Sequence, residues 1–294
     1  MSTNNAIELF KQYIALLDEI YKLEAKTNVL DGANELVRQG ANANELVIPK
    51  ISMDGLADYN RSSGYVKGSV DFNFETVVCN FDRGRMFTVD VMDNIETMGM
   101  VFGKLSSEFV RTKVIPELDA FRMAKYASLA NISTADAADL TTGAAVISAL
   151  RAATTKMNND EVPEANRILF IETGLKGLVD DLDTNKSKEV LKKFSQIIEM
   201  PQNRFYTAIK QLKGTTGEEA GGYTRAEGAN NINFMVVEKS AAIQFAKRVN
   251  SKIITPEQNQ DADAYKYGYR QVAIADAYEN KRAGIYLHKS TVTA

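Results

Sequence analysis

The hydrophobic positions change period several times along the chain, and each change marks a boundary. Ile7, Phe10, Tyr13, Ile14, Leu17, Ile20 and Leu23 recur at helical spacing behind Asn5 and Glu8, which form a capping box. They predict an amphipathic helix to about Lys26, packed either on its own domain or on a neighbouring subunit. Residues 28–44, rich in Asn, Gly and Ala, separate this helix from the next patterned stretch. From Glu45 to Asp90 the period drops to two. Val70, Phe72, Phe74, Thr76 and Val78 share one strand face, against Asp71, Asn73 and Glu75 on the other. The phase shift at Val77, Cys79 and Phe81 predicts a bulge or twist near Thr76. Asp82-Arg83-Gly84-Arg85 reads as a tight turn into a return strand at Met86–Asp90, which makes 45–92 a long hairpin with little core of its own.

A helical stripe then opens at a second capping box, Asp93 to Glu96, and runs through Met98, Val101, Phe102, Leu105 and Phe109. Val114, Leu118 and Phe121 resume it in a new phase. Pro116 lies between the halves and has no N–H to give, so a break or bend is expected near Lys113. One bent rod from Asp93 to about Ala130 and two helices joined at the proline both fit the pattern.

Residues 140–255 mix short helices and strands. Thr141 or Thr142 caps a helix from Gly143, Arg167–Glu172 reads as a strand, and Thr173 as the cap of a short helix. Pro201–Tyr206 reads as extended, 214–231 as a long exposed loop, Ile232–Val237 as a strand and Ser240–Val249 as a short helix. Tyr265, Tyr267, Tyr269, Gln271 and Ala273 alternate, and Ala283–Leu287 closes the chain as a strand. The class is α+β.

Bulk properties narrow the function. A net charge of −3 leaves no excess of Lys and Arg for tight nucleic-acid binding. One Cys excludes a disulfide framework and Cys-rich metal sites. The single His288 would have to carry any histidine-based metal centre or triad alone. The first residues lack the pattern of a signal peptide, and no apolar run reaches membrane-spanning length.

Candidate chemistry is thin. Asp180, Asp181 and Asp183 read as a solvated helix end. Glu218 and Glu219 lie in the glycine-rich loop, which lacks the Gly-Lys-Ser/Thr ending of a phosphate-binding loop. Arg61, Lys67, Arg83, Arg85, Arg111 and Lys113 make the central third moderately basic and are expected to meet carboxylates of neighbouring chains. No residue stands out as catalytic, cofactor-binding or metal-ligating, and no cofactor is expected. An enzyme with a glycine-rich lid at 214–231 remains the alternative from a different class.

The runs Asp82-Arg83-Gly84-Arg85-Met86-Phe87-Thr88-Val89-Asp90, Met92-Asp93, Glu96-Thr97, Phe109–Thr112 and Val114–Arg122 resemble the major capsid proteins of tailed bacteriophages infecting Gram-positive bacteria, shells of the HK97-type fold. Pro201–Ile209 and the tail from Tyr269 through Asp276-Ala277, Asn280-Lys281 and Gly284-Ile285-Tyr286 agree. The resemblance implies an N-terminal arm at 1–44 and an extended hairpin loop at 45–92. It further implies a peripheral domain with a spine helix at 93–136, an axial domain at 137–262, and C-terminal strands at 263–294 that complete both. It implies a structural, non-enzymatic subunit that assembles as pentamers and hexamers into an icosahedral head enclosing double-stranded DNA. The expected partners are other copies of the chain, a separate scaffolding protein, a portal protein at one vertex and weakly contacted DNA, with no membrane. The expected location is the virion, assembled in the host cytoplasm. A nanocompartment shell of the same fold is the nearest alternative.

Overall fold

The computed structural model describes residues 25–32, 38–39, 45–62, 64–92, 105, 107–182 and 185–291. The predicted N-terminal helix, the Asp93–Glu96 capping box, the first part of the long stripe and Asp183 lie outside the described residues.

The centre is a five-stranded mixed sheet of order β5-β13-β10-β6-β7. Its strands are β5 (Ser133–Thr134), β6 (Arg167–Glu172), β7 (Gln196–Met200), β10 (Ile232–Glu238) and β13 (Ile285–Lys289). Both faces are apolar, which explains why Ile232–Val237 reads as a continuous hydrophobic run. Ile168, Phe170, Met235, Val237, Ile285 and Leu287 face one core, shared with Met123 and Tyr126 of helix α1 (Ile115–Ala127). Leu169, Ile171, Phe234, Val236 and Tyr286 face the other, filled by Val146, Ile147, Leu150, Ala153 and Met157 of helix α2 (Gly143–Asn159). Thr142 caps α2, its Oγ1 accepting from the Ala145 N–H. Gly143 is required there, because a Cβ would lie 2.1 Å from the Leu178 carbonyl oxygen.

Helix α3 (Thr173–Asp180) is capped one residue earlier than expected. Glu172, not Thr173, accepts from the Gly174 and Leu175 N–H groups, both at 2.8 Å. Helix α4 (Asn185–Leu191) leads into β7. Pro201–Tyr206 is not extended but contains a 3₁₀ turn, Gln202–Arg204.

The second sheet has the order β11-β12-β4, formed by β4 (Phe81–Asp90), β11 (Ala242–Ile254) and β12 (Ala264–Ala277). Two expectations fail here. Residues 240–249 are not a helix: after a 3₁₀ turn, Lys239–Ala241, the chain enters β11 and pairs with β12 from Ala242↔Ala277 to Ile254↔Lys266. A register shift between Ala246 and Arg248 and burial of the successive residues Ala242, Ile243 and Gln244 hide the period of two. Nor is Asp82–Arg85 a turn. It lies within β4, with Arg83 opposite Gln271, Gly84 opposite Arg270 and Arg85 opposite Tyr269. Gly84 answers to packing, since a Cβ would sit 2.7 Å from the Tyr269 carbonyl oxygen.

The third sheet, β1-β2-β3, contains the hairpin. Strand β2 (Glu45–Met53) pairs antiparallel with β3 (Val70–Val78), and β1 (Arg38–Gln39) joins the other side of β2. The register runs unbroken from Glu45↔Val78 to Met53↔Val70, so Thr76 carries no bulge. The phase change instead marks the passage from β3 to β4 in another sheet. Val77 is buried with Ile243 and Ile274 at the root of the hairpin, and Phe81 packs on Leu118 and Ala273.

The long stripe keeps its expected irregularity. Residues 107–109 are helical, Val110–Val114 forms a π-helical stretch, and α1 begins directly after it with Pro116 in its first turn. The Ile115 N–H bonds to the Val110 carbonyl, five residues back. This widened turn makes room for the proline ring, so the helix passes through the Lys113 region without ending.

Candidate assembly surface

Three arrangements bear on function: an apolar ribbon, an arginine clasp and a buried polar anchor. The ribbon is β2–β3. Along β3, Val70, Phe72, Phe74 and Val78 point to one face at the period of two, with exposures of 69%, 54%, 61% and 55%. Phe72 and Phe74 meet edge to face, ring centroids 5.0 Å apart. Beyond the strands, Leu56, Tyr59, Tyr65 and Val66 are also exposed, with Tyr59 against Tyr65 at 4.8 Å. The connection is closed by its own polar bonds, including the Ser69 N–H to Asp54 Oδ2 at 2.6 Å. Contiguous apolar exposure of this kind is what marks interaction sites on proteins in general.

The clasp is built on β4. Arg83 Nε donates to Glu117 Oε1 at 2.7 Å, and its Nη2 donates to the carbonyls of Leu212 (2.8 Å) and Gly222 (3.1 Å). Gln211 Nε2 donates to the same Glu117 oxygen at 3.2 Å. Arg85 Nη2 donates to the Glu219 carbonyl at 2.8 Å. The glycine-rich segment is therefore held. It includes a short hairpin of β8 (Ile209–Gln211) and β9 (Tyr223–Arg225), and its turn folds over the two guanidiniums. Gly214 and Gly221 are needed twice over. Both adopt positive φ, 72° and 64°, and a Cβ on either would approach Arg85 Nη1 within 2.8 or 3.1 Å. Glu218 accepts from Lys210 and from the Lys213 N–H, which holds its carboxyl below the usual range. Burial of Tyr223 pushes its hydroxyl up to about 12.

The anchor fixes residues 25–31 to α1 and β11. Asp119, fully buried, accepts at Oδ1 from the Thr27 N–H (3.2 Å) and hydroxyl (2.6 Å). Its Oδ2 accepts from the Lys26 N–H (3.1 Å) and from Arg204 Nη1 (3.4 Å). Arg122, also fully buried, donates to Thr27 Oγ1 at 2.9 Å and to Asp31 Oδ1 at 3.1 Å. Gln244 Nε2 donates to the Thr27 carbonyl and to Asp31, while its Oε1 accepts from Tyr126. Burial raises the Tyr126 hydroxyl far above its ordinary value. This network was not anticipated from the sequence; its signal was the polar pair Asp119 and Arg122, three residues apart, on an otherwise apolar helix.

The residues considered for chemistry are dispersed. His288 is buried, stacked on Phe234 at 5.0 Å, with its Nδ1 3.0 Å from Asn233 Nδ2. Asp180 pairs with Lys176, and Cys79 is half-buried at the hairpin root. Part of the basic central third is matched within the chain. Arg83 meets Glu117, and Arg111 meets Glu108 at 2.7 Å. Cross-strand, the Arg270 guanidinium holds the Asp82 carboxyl below its usual range. Among the described residues no group of three or more His, Cys, Asp or Glu is placed to hold a metal ion, and no helix is long and apolar enough to cross a membrane.

No family model and no curated protein matches the sequence. Solved structures match by fold. The chain is similar to that of Gordonia phage Cozz at 9% identity and TM-score 0.60, covering 92% of this chain and 87% of that one. The capsid structure of Staphylococcus phage Andhra matches at 11% identity and TM-score 0.57, covering 88% and 84%. The virus-like particle from Pyrococcus furiosus matches at 9% identity and TM-score 0.56, covering 96% and 99%. Likeness at these identities shows the fold alone: a mixed α+β architecture that resembles the HK97-like fold of phage capsid proteins.

Proposed function

We propose that this chain is a structural shell subunit, a major capsid protein that assembles with copies of itself into the closed head of a tailed bacteriophage. The carrying observation is the β2–β3 ribbon on this fold, with Val70, Phe72, Phe74 and Val78 turned to solvent. A ribbon with that face belongs over a neighbour, where burying it contributes free energy that the lone subunit forgoes. In this reading 1–44 is the arm and 45–92 the extended loop, of which 45–78 projects and 81–90 roots it in the second sheet. The spine helix lies in 93–136, the axial domain is 137–262, and 263–294 completes both domains. Pentamers and hexamers are the building blocks, a separate scaffolding protein guides closure, a portal occupies one vertex, and DNA is enclosed without being gripped. No catalytic step is assigned to the chain.

A second reading, a nanocompartment shell, is favoured by one observation: the Pyrococcus furiosus virus-like particle is covered almost end to end. Negative-stain electron microscopy of the purified chain, alone and with a candidate scaffolding protein, tests both. Rings of five or six or closed shells support the shell function. Closed shells formed alone around a protein cargo favour the nanocompartment, and shells that need the scaffold favour the phage head. A homogeneous compact monomer across concentration and salt overturns both.

A further inference from the structure

We infer that the cleft bounded by β4, β12, residues 107–117 and the β8–β9 hairpin is an anion site that takes a compact polyphosphate, free or as the tail of a nucleotide. Its floor is one face of the second sheet. Phe81, Arg83, Arg85 and Phe87 alternate along β4, Tyr269 and Gln271 along β12, and all six line a volume of about 1160 Å³. Arg83 lies opposite Gln271 and Arg85 opposite Tyr269, so the side chains of these rungs share that face. Gln271 is fully buried. Its Oε1 accepts from the Tyr269 hydroxyl at 3.0 Å, while its Nε2 has no hydrogen-bond partner among the described residues. Arg204, also in the lining, repeats the pattern: Nη1 reaches Asp119 at 3.4 Å, and the buried Nε has no partner. Two donors therefore stand without acceptors in the wall of one cleft, where an unmade bond is costly.

Charge identifies the acceptor. Seven Lys or Arg and two Glu line the cleft, in a chain whose net charge is −3. Both carboxylates are taken: Glu117 by Arg83 and Gln211, Glu108 by Arg111. Arg85 and Lys113 line the cleft with no ion pair among the described residues. A water would satisfy an amide but leave the excess of positive charge in place. A carboxylate offsets one charge. Each phosphoryl group brings roughly −1.5 to −2 at pH 7, so roughly two or three of them match the excess. Shape separates this ligand from duplex DNA. Gln271 lies at the floor without exposed surface, out of reach of a duplex backbone, whereas a thin phosphate chain approaches it with a small turn of the long side chains around it.

Isothermal titration calorimetry of the full chain with tripolyphosphate, at about 0.1 M salt and below the assembly concentration, tests this. The expected result is one tripolyphosphate per chain with a dissociation constant tighter than about 1 mM. Gln271→Met should weaken binding by about tenfold or more, because a hydrogen bond to a charged group is lost. Lys113→Gln, at an exposed cation, should weaken it by only about 2–5-fold. If circular dichroism shows Gln271→Met unfolded, Arg85→Gln on the exposed rim of the floor takes its place, and unchanged binding by that variant counts against the site. A nucleoside triphosphate that binds more tightly than tripolyphosphate identifies a nucleotide as the source, and equal or weaker binding identifies the free polyphosphate. Four outcomes overturn the inference: binding weaker than about 1 mM, a larger loss in Lys113→Gln than in Gln271→Met, citrate bound as tightly, or a single-stranded oligonucleotide bound more tightly than either phosphate ligand. Binding is read on the unassembled subunit, so it stands or falls apart from the shell function.

Discussion

Replacing Asp119 by Asn keeps the shape of the side chain and removes the charge that holds residues 26–27 on α1. The carboxylate accepts four hydrogen bonds, from the Lys26 and Thr27 N–H groups, the Thr27 hydroxyl and Arg204. An amide retains one acceptor oxygen and turns an N–H₂ towards groups that are themselves donors. It also removes the carboxylate paired with Arg204, while Arg122 keeps its ion pair with Asp31. Removing one partner of a buried charge network costs about 3–5 kcal/mol. The lower end, about 3 kcal/mol, applies here because Asp31 survives. That is a large share of the roughly 5–15 kcal/mol by which a folded chain is stable. At roughly 2–4 °C per kcal/mol for a chain of this size class, the melting temperature falls by about 6–12 °C. The more local reading is hydrogen exchange: the Lys26 and Thr27 amides, which donate directly to Asp119, should exchange on the order of 100-fold faster. An Asp119→Asn protein within about 0.5 kcal/mol of the parent, with both amides still protected, would refute the anchor.

Phe72→Asp combined with Phe74→Ser should abolish association seen by size-exclusion chromatography and microscopy while leaving the circular dichroism of the subunit unchanged, because both rings are exposed. Arg83→Ala removes the bonds to Glu117, Leu212 and Gly222 and should speed tryptic cleavage after Lys213 by on the order of tenfold. His288 gives a pH dependence. Asn233 Nδ2 donates to the Ala138 carbonyl at 2.8 Å, so the imidazole Nδ1 beside it acts as acceptor and the ring is neutral. Burial lowers its folded pKa below the ordinary 6.5. The folded state then binds fewer protons than the unfolded one, so its stability contribution is complete above about pH 6.5. It declines as pH falls towards the lowered pKa, by up to about 1.4 kcal/mol per unit. Urea titrations between about pH 7 and 5 should show this slope, and His288→Gln should flatten it.

Elements whose pattern stays uniform along their length, as a continuous apolar run or a single period, were legible in the sequence. Strand β6 falls on Arg167–Glu172 as expected, Thr142 caps α2, and the strand at Ile232 and the alternating tyrosines of β12 fall in place. What escaped has physical causes. Ile243 and its neighbours are buried on both sides of β11, so they show no alternation. Asp82–Arg85 combines charges with a glycine, the composition of a turn. Its charges are satisfied by Arg270, Glu117 and loop carbonyls far away in sequence, which no local pattern reveals. The same holds for the anchor, whose members Thr27, Asp119, Arg204 and Gln244 are brought together only by the fold. The apolar ribbon was the opposite case: period two and missing core were both visible in residues 70–78.

In the proposed shell, that contrast decides what would drive association. The expectation that basic residues of the central third meet carboxylates of neighbouring chains loses force for Arg83 and Arg111, which are paired within the chain. Exposed ion pairs contribute about 0–1 kcal/mol each and are screened within roughly 10 Å at about 0.1 M salt. Val70, Phe72, Phe74 and Val78 are each at least half exposed. Fully burying a side chain of this kind contributes about 1.5–3 kcal/mol, so covering the exposed part of these four contributes roughly 3–6 kcal/mol per copy. The apolar face outweighs the remaining charges. Assembly should therefore persist when sodium chloride is raised from about 0.1 to 0.5 M and strengthen with sulfate, which favours burial of apolar surface. Light scattering against salt reads this directly. Particles that dissociate in sodium chloride while their subunits stay folded would place ionic contacts in charge and take that role from the ribbon.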